Sequence, residues 1–299
     1  MINTAAISRL LTPILNQVFG DFETYPDQWK EIFKTYSSDR AYEFDLEMRY
    51  LGPADIKYEG QPVSTDTMGE RIVTNYIHKC IATSFNITKE ALEDNQYKKD
   101  FPDAMKSMRD ALRVSKDIFG SNILNNAFNP LAPIGDGQPL CSTSHPIDSG
   151  VVSNRPTVPA ALSETAIENA VMQIQSFQMQ SGMLAQTIAK KLIVPKQKQF
   201  DIARILKSTY QNNTANNAIN ALYHLDYVEQ GYKVNQYLPS PNMWFVLTNS
   251  DSGLKHFQRT NVESFIYADP ETFNMKFTAM ERYSFGASNF RSIWGSPGV

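Results

Sequence analysis

The chain has 299 residues, 42% hydrophobic and 20% charged, with a formal net charge of −3 from 28 Lys and Arg against 31 Asp and Glu. These values describe a globular chain with room for one large domain or two smaller ones, and without a dense basic run they argue against sequence-specific DNA binding. Two cysteines, Cys80 and Cys141, cannot build a disulfide framework and fit no zinc spacing, and no run reaches the roughly 18 to 20 apolar residues that would cross a bilayer.

Residues 1 to 41 carry short helical turns. Ile7, Leu10, Leu11, Ile14, Leu15 and Val18 share one face, interrupted by Pro13, and Trp29, Ile32, Phe33 and Tyr36 form a second amphipathic patch. Isolated helices below about 12 to 15 residues are marginal in water, so this stretch is expected to lie as an arm on other structure. From Tyr42 the period becomes two. Tyr42, Phe44, Leu46, Met48 and Tyr50 alternate with Glu43, Asp45, Glu47 and Arg49, which predicts a strand with its apolar face buried. After a loop with Gly52, Pro53, Gly60, Pro62 and Gly69, Arg71 to Thr88 returns as an extended run through Ile72, Val73, Tyr76, Ile77 and Ile81. The result is a long hairpin whose tip is too polar to form a core and therefore projects.

Thr88 to Asp94 reads as a short capped turn. Asp100 to Phe128 is the longest helical signal, with Phe101, Met105, Met108, Leu112, Phe119 and Ile123 on one stripe, Asp100 as cap, Pro102 in the first turn and Asn129-Pro130 as the stop. That rod is roughly 40 Å long at about 1.5 Å per residue, and Gly120 weakens its second half. Residues 129 to 162 are dense in Pro and Gly and mark a boundary. Ser163 caps a helix that carries Ile167, Ala170, Val171, Ile174 and Phe177 on one face. Lys191 to Val194 is a buried strand, Pro195 to Ser208 a helix, and residues 211 to 220 a polar, asparagine-rich loop. Tyr223 to Val234 and Met243 to Thr248 are strand candidates, Gly253 to Arg259 a short helix, and the chain is extended from Phe265 onward.

No constellation points to catalysis. Cys141 and His145 invite a nucleophile and base reading, hence a cytosolic Cys/His hydrolase, but the segment is Pro-rich and supplies no evident Asp or Asn partner. Gly135, Asp136 and Gly137 are turn residues without the strand, helix and lysine of a phosphate loop, and the four histidines are scattered, so neither a cofactor nor a metal is implied.

The phrases ITKEALEDN at Ile87 to Asn95, DGQPLCSTSHP at Asp136 to Pro146 and KKLIVPKQKQFDIARILKS at Lys190 to Ser208, with PNMWFVLTN around Trp244 and the ending FRSIWGSPG, come in an order that resembles the tailed-phage major capsid proteins. The similarity is greatest to the Mu-like major head subunit group. It implies an α+β, Hong Kong phage-type fold: an N-terminal arm over 1–41, a projecting E-loop over 42–80, a P domain over 81–128 and 262–283 with the spine helix, and an A domain over 129–261 and 284–299. It implies a structural protein that self-assembles as hexamers and pentamers into an icosahedral head around double-stranded DNA, which it encloses without sequence-specific binding. An encapsulin-like nanocompartment shell is the alternative within the fold. The partners implied are further copies of the chain, a portal, a decoration protein and, because no long acidic segment precedes the arm, a separate scaffolding protein. The location implied is the virion, after assembly in the host bacterial cytoplasm, with no membrane involved. At the E-loop tip Asp55, Ile56, Lys57, Tyr58 and Glu59 are the expected subunit contacts. Some relatives also join an E-loop lysine to a P-domain asparagine with a glutamate as base, and Lys57, Asn274 and Glu281 are the residues of those types here.

Overall fold

The computed structural model describes residues 27–94, 97–210, 219–225, 227–250 and 253–299. The apolar face expected between Ile7 and Val18, and most of the asparagine-rich loop, lie outside them. Trp29–Glu31 is one 3-10 turn, but the patch does not continue as helix. Lys34–Ser37 is a strand, β1, because its backbone finds a parallel partner in a later strand while Trp29 and Phe33 turn into the core.

The predicted hairpin exists as β2 (Tyr42–Arg49) and β3 (Gly69–Ile77), paired in antiparallel register from Tyr42 opposite Ile77 to Arg49 opposite Gly69. The single extended run expected from Arg71 to Thr88 is two strands. At His78 the chain leaves the hairpin and enters β4 (Lys79–Ile87), which belongs to another sheet. Thr88 then caps a short helix, α1 (Lys89–Glu93), its Oγ1 accepting from the Ala91 amide at 3.3 Å.

The long helix, α2, runs Tyr97–Asn125 and is offset from the expected limits at both ends. Pro102 is its sixth residue and not part of a first turn, so the helix forgoes one early hydrogen bond instead of starting there. Phe101, Met105, Met108 and Leu112 are buried as expected against Met275, Phe277 and Ala279. Phe119 falls off the buried stripe and is exposed, while Leu124 and the following Ala127 take over. Gly120 does not interrupt the helix. It lets Trp29 and Phe33 approach: a Cβ there would lie 3.0 Å from Trp29 Cβ and 3.5 Å from Phe33 Cε2.

A short hairpin, β5 (His145–Ile147) and β6 (Gly150–Val152), interrupts the irregular stretch that follows. In α3 (Glu164–Gln175) the Ser163 hydroxyl accepts from the Ala166 amide at 3.2 Å, and Ile167, Ala170, Val171 and Ile174 are buried as predicted. The remaining elements are β7 (Ala189–Pro195), α4 (Gln199–Lys207), α5 (Ala221–Leu225), β8 (Tyr232–Asn235), β9 (Trp244–Thr248), β10 (Leu254–Ala268), β11 (Met275–Ala287) and β12 (Ile293–Ser296). The expected strand from Tyr223 is thus a helical turn followed by β8. The short helix expected at Gly253–Arg259 is the start of β10, where Leu254 and His256 alternate into the core and both neighbours supply backbone partners.

Two sheets result. One has the order β1-β10-β11-β4 and takes the first half of α2 across it. The other, β12-β9-β7-β8, is apolar on both faces: Leu192, Val194, Trp244 and Val246 meet α3, while Ile193, Phe245 and Leu247 meet Trp29, Phe33 and Leu124. The second half of α2 closes that other face, so one helix joins both cores. β10 extends past Asn261, although its ladder to β11 shifts register between Gln258 and Glu263, and β11 extends past Tyr283, so the P and A limits drawn from the resemblance fall within these two strands.

Candidate assembly surface

The hairpin reverses the expected polarity. Tyr42, Phe44, Val73 and Ile77 are exposed at 49%, 58%, 52% and 65%, whereas Glu43, Asp45 and Glu47 face the body of the protein. Each carboxylate meets a group from a different element. Glu43 accepts from the Ser38 hydroxyl at 2.7 Å, Asp45 pairs with Lys255 of β10 at 2.5 Å, and Glu47 pairs with Arg291 at 2.7 Å. Burial lowers the Arg291 guanidinium from its ordinary value, with the Glu47 charge opposing that shift. The period of two is therefore present as predicted, but the buried face is the opposite one, because alternation cannot tell a core from buried counter-charges placed elsewhere in the chain. Three acids on one side of a short strand are the signal that points to it.

On β3, Ile72 packs against Gly135 and Tyr76 against Gly286; both glycines lack the Cβ that would strike them. The Tyr76 hydroxyl shares a hydrogen bond with Ser288. At the root, His78 bridges Ser38 and Ser284 through its two ring nitrogens, each at 3.0 Å, and burial lowers its pKa. At the far end Arg49 joins Asp148 at 2.7 Å and Asp66 at 2.9 Å, and Asp66 also accepts from the Gly52 amide at 2.7 Å. That amide, with Thr67's and Arg49, holds the Asp66 carboxyl below its usual range. The neck of the loop is thus pinned shut.

Beyond the neck, Ile56 is 79% and Tyr58 65% exposed, and Asp55, Lys57 and Glu59 are exposed with them. Neither the hydrogen bond of Asn274 to Lys89 nor the ion pair of Glu281 with Lys116 involves Lys57. Asn274 lies in the β10–β11 turn, where its Oδ1 accepts from the Lys89 amide at 3.3 Å. Glu281 sits seven residues further along the chain, inside β11, about 23 Å away at roughly 3.3 Å per residue. Its carboxylate is buried against Lys116 of α2 at 3.1 Å. Burial raises the Glu281 pKa and lowers that of Lys116, so desolvation outweighs their attraction at both ends.

Cys141 and His145 do not form a nucleophile and base. The thiol is fully buried, and burial pushes its pKa up. The partners not evident in the sequence are Asp136, 2.6 Å from His145 Nδ1, and Asn154, whose Oδ1 is 3.0 Å from Nε2. The ring stacks on Phe290 at 4.0 Å, and the Asn154 amide donates to the carbonyls of Leu140, Phe290 and Ile293. This knot ties the irregular 133–154 stretch to the C-terminal strand. Among the described residues no group of His, Cys, Asp or Glu could hold a metal ion, and no helix is long and apolar enough to cross a membrane.

Residues 73–295 match the model of the family described as phage capsid protein. No curated protein matches the chain. Among solved structures, the capsid of cyanophage P-SCSP1u is similar at a TM-score of 0.58 and 7% identity, over 90% of this chain and 87% of that one. The procapsid of bacteriophage JBD30 is similar at 0.54 and 14% identity, over 99% and 76%. A virus-like particle from Pyrococcus furiosus is similar at 0.54 and 11% identity, over 95% and 98%. At these identities the likeness is one of fold.

Proposed function

Since the chain belongs to the phage capsid protein family and is a major capsid protein of the Hong Kong phage-type fold, we propose that the outward apolar face of its hairpin is the contact through which copies build the shell. One observation carries this reading: Tyr42, Phe44, Val73 and Ile77 form an exposed apolar strip on a ribbon whose inward carboxylates Asp45 and Glu47 are already paired within the chain. The projecting tip at Asp55–Glu59 extends the same contact, in the role of an E-loop. Hexamers and pentamers are the rings such a heterologous contact closes into. The order of the sequence phrases from Ile87 to Asn95, Asp136 to Pro146 and Lys190 to Ser208 supports a likeness to the Mu-like head subunits. A portal, a separate scaffold and a decoration protein complete the particle, which is assembled in the host bacterial cytoplasm. The role is structural, and double-stranded DNA is confined by the closed lattice instead of being held site by site.

Electron microscopy of the purified protein across a concentration series tests this. Closed shells or ring capsomers are expected, and Phe44→Ser should raise the concentration at which they form without moving the melting temperature. A monodisperse monomer under every assembly condition, or equal thresholds for the two proteins, would refute it. A virus-like particle shares the fold at a similar score, so fold alone does not say what the shell encloses. Genome-length DNA inside the particle does.

A further inference from the structure

We infer that the free edge of β2 accepts the tip residues Asp55–Glu59 of a second copy as a third strand. This rests on the reading that copies of the chain assemble, and it names which backbone of one copy meets which of the next.

β2 is paired only to β3, and no backbone hydrogen bond joins Tyr42–Arg49 to any other described segment. A cleft of about 430 Å³ runs along its unpaired side. Asp45, Leu46, Glu47 and Met48 line one wall in succession, and no residue of β3 does, so the cleft follows the strand's edge and not one of its faces. Gln180 and Arg291 line the cleft as well. Gln180 is 3% exposed, yet neither its Nε2 nor its Oε1 has a partner, and Arg291 Nη2 has none. Buried polar atoms left in this state are costly and seldom persist.

The chemistry of those groups selects the occupant. Asp45–Lys255 and Glu47–Arg291 cancel in charge, so the cleft does not favour a phosphate or carboxylate. One amide acceptor and two N–H donors beside a strand edge complement the C=O and N–H of another backbone, the pattern of strand addition. The four residues of β2 that line the cleft span about 13 Å, enough to pair four of the five tip residues.

A segment of matching character is present in every copy. Asp55–Glu59 is exposed and in no strand; its one backbone hydrogen bond to another residue accepts from the Gln61 amide at Tyr58. Ile56 and Tyr58 are strong strand formers at period two. The tip cannot fold back onto its own β2, because Gly52 and Arg49 are both tied to Asp66 at the neck. A second copy remains.

Hydrogen exchange read by mass spectrometry on free subunits and on assembled shells tests this. In shells the amides of 42–49 should exchange at least about tenfold more slowly than in subunits, the scale of a ladder newly formed. In shells of Ile56→Pro/Lys57→Pro that slowing should vanish, since prolines at successive positions put one ring and one missing donor on the side that faces β2, whichever side that is, and break the ladder there. Should the proline variant not assemble, two separately tagged chains in a Cys80→Ser background, one with Gln180→Cys and one with Tyr58→Cys, should form a mixed disulfide in shells. Shells without added protection at 42–49, protection that survives the prolines, or no mixed disulfide would each overturn the strand addition and leave the shell reading standing. Wild-type protein that forms no shells would overturn both.

Discussion

Gly286→Ala isolates what seats the hairpin on the protein. Gly286 lies in β11 beneath the ring of Tyr76, and a Cβ there would stand 2.5 Å from Cε1 and 3.0 Å from Cδ1. Carbon pairs settle near 3.5 to 4.0 Å, so the ring must move by about 1 Å. It is poorly placed to do so: Tyr76 is buried, its hydroxyl is bonded to Ser288, and its ring meets Phe257 at 4.9 Å. Overpacking of this kind costs about 1 to 3 kcal/mol. Against it stands the roughly 0.5 to 1 kcal/mol by which alanine is preferred over glycine in a strand. The balance is a destabilisation of about 0.5 to 2 kcal/mol, felt as opening of the hairpin and not of the sheet cores. Exchange of amides in 69–77 should accelerate about 2- to 30-fold, since each 1.4 kcal/mol is tenfold. Amides in 244–248, inside the doubly covered sheet, should be unchanged. Tyr76→Leu in the same chain should restore much of the loss. Equal rates at 69–77, or faster exchange at 244–248 alone, would refute the claim that the ring and this glycine seat the hairpin.

Lys116→Met alone should cost about 3 to 5 kcal/mol by leaving the Glu281 carboxylate buried without a counter-charge, whereas Lys116→Met with Glu281→Leu should be near neutral or stabilising; denaturant titration of both decides it. His256 is fully buried between Trp29 and Phe285, and burial, then the Lys116 charge, pushes its pKa down to about 3. A histidine that resists protonation only when folded leaves stability untouched above the unfolded value near 6.5 and removes about 1.4 kcal/mol per pH unit as pH falls from there toward 3. The melting-temperature difference between His256→Phe and wild type should therefore widen in favour of the variant between pH 6.5 and 4.5, and a constant difference would contradict the burial account. Denaturing electrophoresis of mature particles should give one band at the 33.8 kDa chain mass, because Glu281 is engaged by Lys116 and turned into the core; a ladder abolished by Lys57→Ala would show that the crosslink forms.

What is legible in the sequence is what neighbours in the chain decide. Ser163 and its apolar face, the run through Trp244, and the stripe from Phe101 to Leu112 each carry their periodicity in consecutive residues, and each is where it is expected. What is not legible depends on residues far away. β1 and the start of β10 are strands because each lends the other a backbone ladder across more than 200 positions, while their own residues are ambiguous between turn and strand. His78 ends β3 because Ser38 and Ser284 hold it, which nothing near His78 announces. The Asp136–His145–Asn154 knot escapes a reading of the sequence because its members lie nine residues apart in an irregular stretch, with no repeat to mark them.

The inverted hairpin follows from the same division. A two-stranded ribbon has little stability of its own and normally gains it by laying an apolar face on a core. Here the face turned toward the protein is charged on β2 and apolar on β3, so the ribbon is oriented by ion pairs and anchored by Ile72 and Tyr76, while the larger apolar strip stays outside. Ion pairs suit that task because their geometry is directional, although each adds little net free energy once desolvation is counted. Burying Tyr42, Phe44, Val73 and Ile77 would stabilise the ribbon by about 1.5 to 3 kcal/mol for each fully covered side chain, and that term becomes available only when another surface covers them. A subunit built this way keeps its cores without a neighbour and completes its hairpin with one, so that the free energy of the last folded element is also a free energy of assembly.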